Sequence, residues 1–391
     1  MNIAIFLEQQ FDPNAGGVQR STSKLASIFK DKGHHVIIIS SSQNLPQMPI
    51  WNGISISNIN MKTDSVVLKQ IVEREAVSVL INQAGYSLRI TKFLKQNLNS
   101  NIKIINTLRI NPLNFYDNHE FFIENILRHR GLAIFNKSFI HKIILKYHIA
   151  KQSKELNYIV KNTDAFVMLS EHFIPELYFL SPVLKKYDYK IHGIGNPFER
   201  PEINITSLEK ENIFLFVGRL DIIQKRVDLL MEIWKRLHAE CPDWRFWVLG
   251  DGESKTFMQD YCKEHQLDRV IFFGKDNPNN YYLKAKIFHM TSAFEGFGNV
   301  LVEAQSYGCV PFLFNSYSAA QDIVNHNEDG ILIEPFDVED YFNQTIALIN
   351  HPSKLKQLSV KAFENMTKFS FENTYKKWVT VFSSLNKNYK I

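Results

Sequence analysis

The sequence predicts an α/β protein with two doubly wound, Rossmann-like domains. Its 391 residues suit two domains of about 150–200 residues each. Short apolar runs, typical of buried parallel strands, alternate with helical patterns in both halves of the chain. Asn196-Pro197 and the polar segment up to Asn212 separate the two halves as a linker would. We therefore expect a domain boundary near residue 198.

The first half opens with a strand–helix–strand pattern. An apolar run precedes a loop that contains Gly16 and Gly17, and a helical pattern then leads to a second apolar run. The glycine pair is not part of a G-x-G-x-x-G sequence, which disfavours a nicotinamide dinucleotide site, and a glycine pair alone is most often a turn. Strands of this half are predicted at 2–7, 36–40, 79–81, 103–107 and 165–169.

The second half repeats the alternation. The apolar run 213–217 ends at Gly218-Arg219, and a helical pattern follows to about Leu237. The other strands of this half are predicted at 246–249, 270–273, 310–314 and 329–333. Aromatic residues at helical spacing predict a last helix near the end of the chain. The predicted domains are 1–198 and 199–370, followed by a helical segment at 371–391.

The composition is that of a folded protein from a reducing compartment. Apolar residues make up 45% of the chain and charged residues 22%, which is ordinary for globular domains. The three cysteines have no metal-ligand spacing, and their odd number argues against a disulfide framework. The first apolar run is too short for a secretory signal, and no run of 18 apolar residues occurs. We expect a cytoplasmic protein.

The charges are unevenly distributed. Residues 1–198 hold 23 basic and 14 acidic residues, whereas the remainder holds 22 and 26. A basic first half favours contact with an anionic surface or substrate.

The most informative stretch lies between Ser292 and Pro311. Gly296 and Gly298 let the backbone approach a ligand closely, and the apolar helical run that follows ends at Gly308. A glycine-rich loop before a helix directs unpaired N–H groups outward, which suits a phosphate. Two carboxylates, Glu295 and Glu303, lie eight residues apart. An isolated pair at this spacing is usually a surface glutamate and a helix-capping one, so the neighbouring residues decide.

Those neighbours resemble a known enzyme family. E-G-F-G-x-V-L-V-E-A followed by G-C-V-P resembles the donor-site signature of the retaining GT-B glycosyltransferases of family 4. The resemblance runs along nearly the whole chain and is strongest from about Phe214 to Pro335. It implies GT-B architecture, two Rossmann-like domains that face each other across a cleft, with a last helix that crosses back to the first domain.

The resemblance also implies roles for individual residues. Phe-Val-Gly-Arg-Leu…Lys matches the family pattern in which Arg219 and Lys225 clamp the donor diphosphate, and a leaving diphosphate needs such fixed positive charge. Glu303 would bind the ribose, and Glu295 would face the transferred sugar. The other donor-binding residues implied are Gly16, Gly17, Gly274, Lys275, Gly296, Phe297, Gly298 and Asn299. No Asp-x-Asp sequence occurs, so we expect no metal site and no required cofactor.

The acceptor side is less defined. The family usually has a histidine after the strand at 103–107, but this chain has Leu108-Arg109-Ile110-Asn111, so we assign no catalytic residue there. Residues 128–154 contain seven basic and no acidic residues, interleaved with apolar ones. This pattern is compatible either with a helix that docks on an anionic membrane surface or with a solvated helix face. Nothing indicates a nucleic-acid partner.

We therefore predict a retaining hexosyltransferase that uses a nucleotide-diphosphate sugar, with a UDP-sugar favoured. The predicted acceptor is a saccharide or a lipid-linked intermediate of capsule, exopolysaccharide or lipopolysaccharide assembly. The enzyme is predicted to be cytoplasmic, and docking on the inner face of the cytoplasmic membrane is an open alternative. Three alternatives stay open: a nucleotide-sugar epimerase or hydrolase, a sugar-phosphate synthase of the same fold, and a non-catalytic nucleotide-binding partner protein.

Overall fold

The computed structural model describes residues 1–41, 50–132 and 136–385. The chain forms two compact units. The first contains Met1–Pro197 together with the chain from Thr374 onward, and the second contains Phe198–Asn373. The sequence placed the divisions at 198/199 and 370/371. Each unit is a sheet of mainly parallel strands with helices in the connections, which confirms the predicted α/β class with two Rossmann-like domains.

The first unit is built on an eight-stranded sheet with the order β3-β4-β2-β1-β5-β6-β7-β8. All neighbouring strands are parallel except β3 and β4, which form a short antiparallel pair. The central strands are mainly apolar and almost entirely buried, as their composition predicts. The strands are β1 (Asn2–Leu7), β2 (His35–Ser41), β3 (Ile50–Trp51), β4 (Ile54–Ile59), β5 (Val79–Asn82), β6 (Lys103–Leu108), β7 (Ala165–Met168) and β8 (Ile191–Gly193).

Helices cover this sheet, and the last helix of the chain is one of them. Its Trp378 and Phe382 pack on Phe29 of the first helix, with ring centroids 5.6 and 5.4 Å apart. The helices are α1 (Gly17–Asp31), α2 (Ser65–Arg74), α3 (Leu88–Asn97), α4 (Asn114–Asp117), α5 (His119–His129), α6 (Ser138–Lys161), α7 (Phe173–Leu180) and, after those of the second unit, α15 (Phe371–Leu385). A 3-10 helix spans Pro182–Lys190.

The second unit has six strands, all parallel, in the order β11-β10-β9-β12-β13-β14. The chain therefore reverses its direction across the sheet between β9 and β12. In open α/β sheets, ligands bind beyond the carboxyl ends of the strands at such a reversal. The strands are β9 (Glu211–Val217), β10 (Arg245–Leu249), β11 (Val270–Gly274), β12 (Ala285–Met290), β13 (Val310–Phe314) and β14 (Ile331–Ile333).

The helices of the second unit bury a large aromatic and aliphatic core against its sheet. They are α8 (Val227–Glu240), α9 (Lys255–Glu264), α10 (Asn279–Lys284), α11 (Asn299–Ser306), α12 (Ala320–Ile323), α13 (Val338–Ile349) and α14 (Pro352–Asn365). A 3-10 helix spans Met366–Phe369. Among the residues that the structure describes, no helix is long and apolar enough to cross a membrane.

Strand β12, which lies between β9 and β13, was not predicted from the sequence, and neither were β3, β4 and β8. Lys286 and His289 interrupt the apolar pattern of β12, and both find polar partners in the fold. Lys286 Nζ donates to Asn212 Oδ1 at 2.5 Å, and His289 Nδ1 lies 2.9 Å from the Tyr341 hydroxyl. Burial lowers the pKa of His289 to about 3, so this histidine is neutral inside the sheet.

Glycines allow the strand-end loops of the second unit to pack backbone against backbone. Gly250 has φ +139°, and a Cβ at this position would lie 1.8 Å from the carbonyl oxygen of Gly218. A Cβ on Gly252 would lie 2.2 Å from the carbonyl oxygen of Leu220. The Gly250–Gly252 turn therefore supports the loop that carries Arg219.

Candidate functional site

The candidate site lies where the second sheet reverses. The loop 218–226 follows β9, and the loop 291–298 follows β12, its neighbour in the sheet. The two loops are joined by backbone and side-chain hydrogen bonds: Ala293 N donates to the carbonyl of Gln224 at 2.7 Å, and Thr291 Oγ1 donates to the carbonyl of Lys225 at 2.8 Å. The geometry brings side chains about 70 residues apart in sequence into contact.

Asp221 organises the first of these loops. Its carboxylate is almost fully buried and accepts the backbone N–H of Gln224 at 2.6 Å and that of Lys225 at 3.4 Å. The same carboxylate accepts a hydrogen bond from Arg219 Nε at 2.8 Å. The Arg219 side chain nevertheless stays 65% exposed. Asp221 thus orients a guanidinium whose remaining N–H groups can reach an anionic ligand.

Lys225 and Glu295 form an ion pair at the centre of the site. Lys225 Nζ donates to Glu295 Oε1, and the two side chains are only 12% and 11% exposed. Ser292 Oγ also donates to Oε1, at 2.9 Å. The family resemblance implies that Lys225 binds the diphosphate and that Glu295 faces the sugar, and the structure places the two side chains in direct contact. A half-buried ion pair of this kind holds both charges at defined positions in a partly water-excluded environment.

Gln224, like Asp221 and Ser292, is a residue of this network that the sequence did not predict. Its Oε1 accepts from Arg219 Nη2 at 3.0 Å, and its Nε2 donates to the carbonyl of Phe294 at 3.3 Å and to Glu295 Oε2 at 3.4 Å. Gln224 therefore connects Arg219 with the Lys225–Glu295 pair. Its position next to Lys225 was the only signal in the sequence, and glutamine carries no charge that would have drawn attention to it.

The glycine loop leads into α11 as predicted, but its aromatic residue points into the core. Gly298 has φ +95°, and a Cβ there would lie 2.7 Å from the Tyr317 hydroxyl, so only glycine fits. Phe297 is 3% exposed and packs edge-on against Phe369. Only its backbone, together with those of Gly296 and Gly298, is thus offered to a ligand. Helix α11 begins at Asn299 without an acidic residue in its first turn, which suits an anion.

Glu303 lies on α11, apart from the Arg219–Glu295 network. It is 9% exposed and accepts a hydrogen bond from the Tyr282 hydroxyl at 3.3 Å. Burial raises the pKa of the nearby Tyr307, and the negative charge of Glu303 raises it further. Carboxylate oxygens at this position can accept hydroxyl groups of a ligand.

The remaining predicted donor residues are spread over two units. Gly274 ends β11 with φ +73°, and its carbonyl accepts from Gly250 N at 2.7 Å, while Lys275 is exposed. Gly16 and Gly17 lie in the first unit at the start of α1, where no side chain caps the helix. Their part in donor binding stays a prediction. In the part of the chain that the structure describes, no group of three or more His, Cys, Asp or Glu could hold a metal ion.

Comparison with known proteins identifies the family. Residues 199–365 match the family Glycosyl transferases group 1. The second unit belongs to the group 1 glycosyl transferases. An uncharacterized glycosyltransferase of Haemophilus influenzae is 25% identical over 382 residues, which cover 93% of this chain and 96% of the relative. The amylovoran biosynthesis glycosyltransferase AmsD of Erwinia amylovora is 23% identical over 372 residues, which cover 93% of this chain and 95% of AmsD.

Solved structures support the fold of the chain. A mutant of S. aureus TarM, crystallised with fondaparinux, α-GlcNAc-glycerol and UDP, superposes with a TM-score of 0.72 at 14% identity. The similarity covers 98% of this chain and 100% of that chain. Together with the two Rossmann-like sheets, it confirms the predicted GT-B class. The protein is a glycosyltransferase, and its candidate site lies at the carboxyl ends of β9 and β12.

Proposed function

We propose that this protein transfers a sugar from a UDP-sugar to a saccharide or lipid-linked acceptor, with retention of the anomeric configuration, in the assembly of a surface polysaccharide. The observation that carries the proposal is the network of Arg219, Gln224, Lys225 and Glu295 at the point where the second sheet reverses. It sets two cations beside a carboxylate and a glycine-rich helix start. That is the set of groups needed to hold a diphosphate and the sugar attached to it.

In the proposed step, the bond between the anomeric carbon and the β-phosphate oxygen breaks while a bond to the acceptor hydroxyl oxygen forms on the same face. The acceptor proton passes to the departing phosphate oxygen. Arg219 and Lys225 stabilise the negative charge that develops on the diphosphate, which is where preorganised cations contribute most to the rate. Lys225 can turn from Glu295 towards the phosphate, which frees the Glu295 carboxylate to accept sugar hydroxyls. The resemblance to retaining enzymes supports the stereochemistry.

Two comparisons support the donor and the pathway. The TarM structure that shares the fold contains UDP, and the AmsD relative acts in amylovoran biosynthesis. A carboxylate at the position of Glu303, which accepts a hydrogen bond from the Tyr282 hydroxyl, suits the diol of a ribose. These features favour transfer from a uridine nucleotide to a polysaccharide acceptor over the epimerase, hydrolase, sugar-phosphate synthase and non-catalytic alternatives.

The first test measures nucleotide binding and its dependence on Glu303. Calorimetry with UDP, GDP and ADP is expected to give the tightest binding for UDP, and UDP-sugars are expected to release UDP on turnover. Glu303→Ala is expected to weaken the binding of UDP about tenfold or more, because the ribose hydroxyls lose a charged hydrogen-bond acceptor. Glu328→Ala, an exposed change in the same unit, serves as the matched control. Equal UDP affinity in both variants would contradict the ribose assignment.

Helix α6 supports contact with an anionic membrane surface. Phe139, Ile143 and Tyr147 are 61%, 62% and 69% exposed, and their spacing of four residues puts them in one row along the helix. The side chains of Lys142 and Lys146 are exposed between them. An apolar row flanked by lysines can insert into the headgroup region of an anionic bilayer while the ammonium groups meet phosphates. Residues 133–135 of the predicted basic segment lie outside the described residues.

Liposome flotation tests this surface. The wild-type protein is expected to float with vesicles that contain phosphatidylglycerol and to stay unbound with phosphatidylcholine alone. The triple variant Phe139→Ser, Ile143→Ser, Tyr147→Ser is expected to lose most of this binding. Val66→Ser with Tyr189→Ser, which removes two equally exposed apolar side chains elsewhere in the first unit, is the control. Equal flotation of both variants would exclude α6 as the docking surface.

A further inference from the structure

A cation that the proposed transfer step does not use lies in the first unit. Arg109 follows β6 directly, at the carboxyl edge of the first sheet. Its Nη2 donates to Ser21 Oγ on α1 and, at 2.8 Å, to Asn196 Oδ1. Its Nε is buried and has no hydrogen-bond partner. In the part of the chain that the structure describes, no carboxylate forms an ion pair with Arg109, so its neighbours are polar but neutral.

The surroundings of Arg109 raise the free-energy cost of burying its positive charge. A guanidinium taken out of water without a counter-ion loses hydration that hydrogen bonds to neutral oxygens only partly replace. Burial lowers the pKa of Arg109 to about 10, and the group stays protonated at neutral pH. The residue as a whole keeps some accessible surface. An unneutralised and partly accessible cation is a common arrangement where the missing anion belongs to a ligand.

A second unused donor lies on the neighbouring strand end. Gln83 follows β5, which pairs with β6 in the sheet, and it is 2% exposed. Its Oε1 accepts a hydrogen bond at 2.9 Å from Thr107 Oγ1, two residues before Arg109. Its Nε2 is buried without an acceptor. Buried N–H groups are rarely left unpaired, and these two lie just beyond the carboxyl ends of adjacent strands.

We propose that Arg109 binds a phosphate group carried by the acceptor substrate, so that the acceptor is a phosphorylated molecule. The inference rests on the proposed function, because it concerns the second substrate of the same transfer. A guanidinium offers planar N–H pairs that match phosphate oxygens, and Gln83 supplies a further donor at the same sheet edge. The excess of basic residues in the first half of the chain, 23 against 14 acidic ones, favours the same kind of ligand.

The test separates an acceptor phosphate from the donor diphosphate. Calorimetry is done with glycerol 3-phosphate as the probe and glycerol as its uncharged counterpart, in the presence of saturating UDP. Wild type is expected to bind glycerol 3-phosphate and not glycerol. Arg109→Gln is expected to weaken the binding of glycerol 3-phosphate about tenfold or more. Arg109→Lys is expected to weaken it less, because the ammonium group keeps the charge but not the planar pair of donors. UDP affinity is expected to stay within about twofold, since UDP does not depend on this group.

Arg74→Gln, at an exposed arginine of the same unit, is the matched control and is expected to bind like wild type. The inference is overturned if wild type does not bind glycerol 3-phosphate or if Arg109→Gln binds it normally. It is also overturned if Arg109→Gln loses affinity for UDP to the same extent as for glycerol 3-phosphate. Parallel weakening would assign Arg109 to the donor. Should Arg109→Gln fail to fold, Arg109→Lys decides, and unchanged affinity in that variant overturns the inference. Failure of wild type to bind UDP would instead contradict the proposed function, and the probe is then titrated alone.

Discussion

Lys225→Met is expected to lower turnover about 10²–10³-fold, the usual effect of removing one preorganised group that stabilises a developing negative charge. The change also leaves the Glu295 carboxylate, 11% exposed, without its cation. An unpaired half-buried charge destabilises a fold, so the melting temperature is expected to fall as well. Initial rates of UDP release from a UDP-sugar, together with thermal melts, measure both effects.

A double variant separates catalysis from folding. Lys225→Met with Glu295→Gln removes both charges and is expected to recover most of the lost stability, because no unpaired charge remains. Its turnover is expected to stay low, since the cation is still absent. Lys235→Met on α8, where the lysine is exposed, is the matched control and is expected to behave like wild type. Turnover that returns together with stability would show that Lys225 only holds the loop.

Gly250→Ala is expected to be strongly destabilising. A Cβ at this position would lie 1.8 Å from the Gly218 carbonyl oxygen, and backbone cannot move aside as a flexible side chain can. The φ of +139° adds strain for any residue with a Cβ. The second unit is expected to lose about 3 kcal/mol or more of its free energy of unfolding. Denaturant unfolding followed by tryptophan fluorescence measures the loss.

Gly274→Ala is the matched control for this prediction. Gly274 ends the neighbouring strand and has φ +73°, but a Cβ there meets nothing within 4 Å. It should therefore show only the backbone cost of a left-handed residue, about 1–2 kcal/mol. If both alanine variants were equally stable, the close approach of the strand-end loops would not be a constraint on the fold.

The sequence predicts most of the fold because the central strands are continuous apolar runs. Such runs identify β1, β9 and β13, and alternating helical patterns require parallel crossovers. Strand β12 was missed because its polar residues Lys286 and His289 pair with Asn212 and Tyr341, which are distant in sequence. Local patterns contain no information about such partners.

The candidate site could be predicted as a set of residues but not as a geometry. Gly-Arg…Lys and Glu-x7-Glu mark the two loops, yet nothing local indicates that Lys225 pairs with Glu295 across 70 residues. Gln224 carries no charge and belongs to no pattern that the analysis used. The orientation of Phe297 into the core also depends on Phe369, which is far along the chain. Pairings of this kind follow from the strand order, which is a property of the whole unit.

The network of Arg219, Gln224, Lys225 and Glu295 is assembled from two loops of one sheet. It takes shape as soon as that unit folds and needs nothing from the other unit for its internal bonds. Under the proposed function, mutations in the first unit can change the acceptor while the network that binds the diphosphate stays the same. Because the two roles would lie in different units, substitutions in the first half of the gene could change the polysaccharide product.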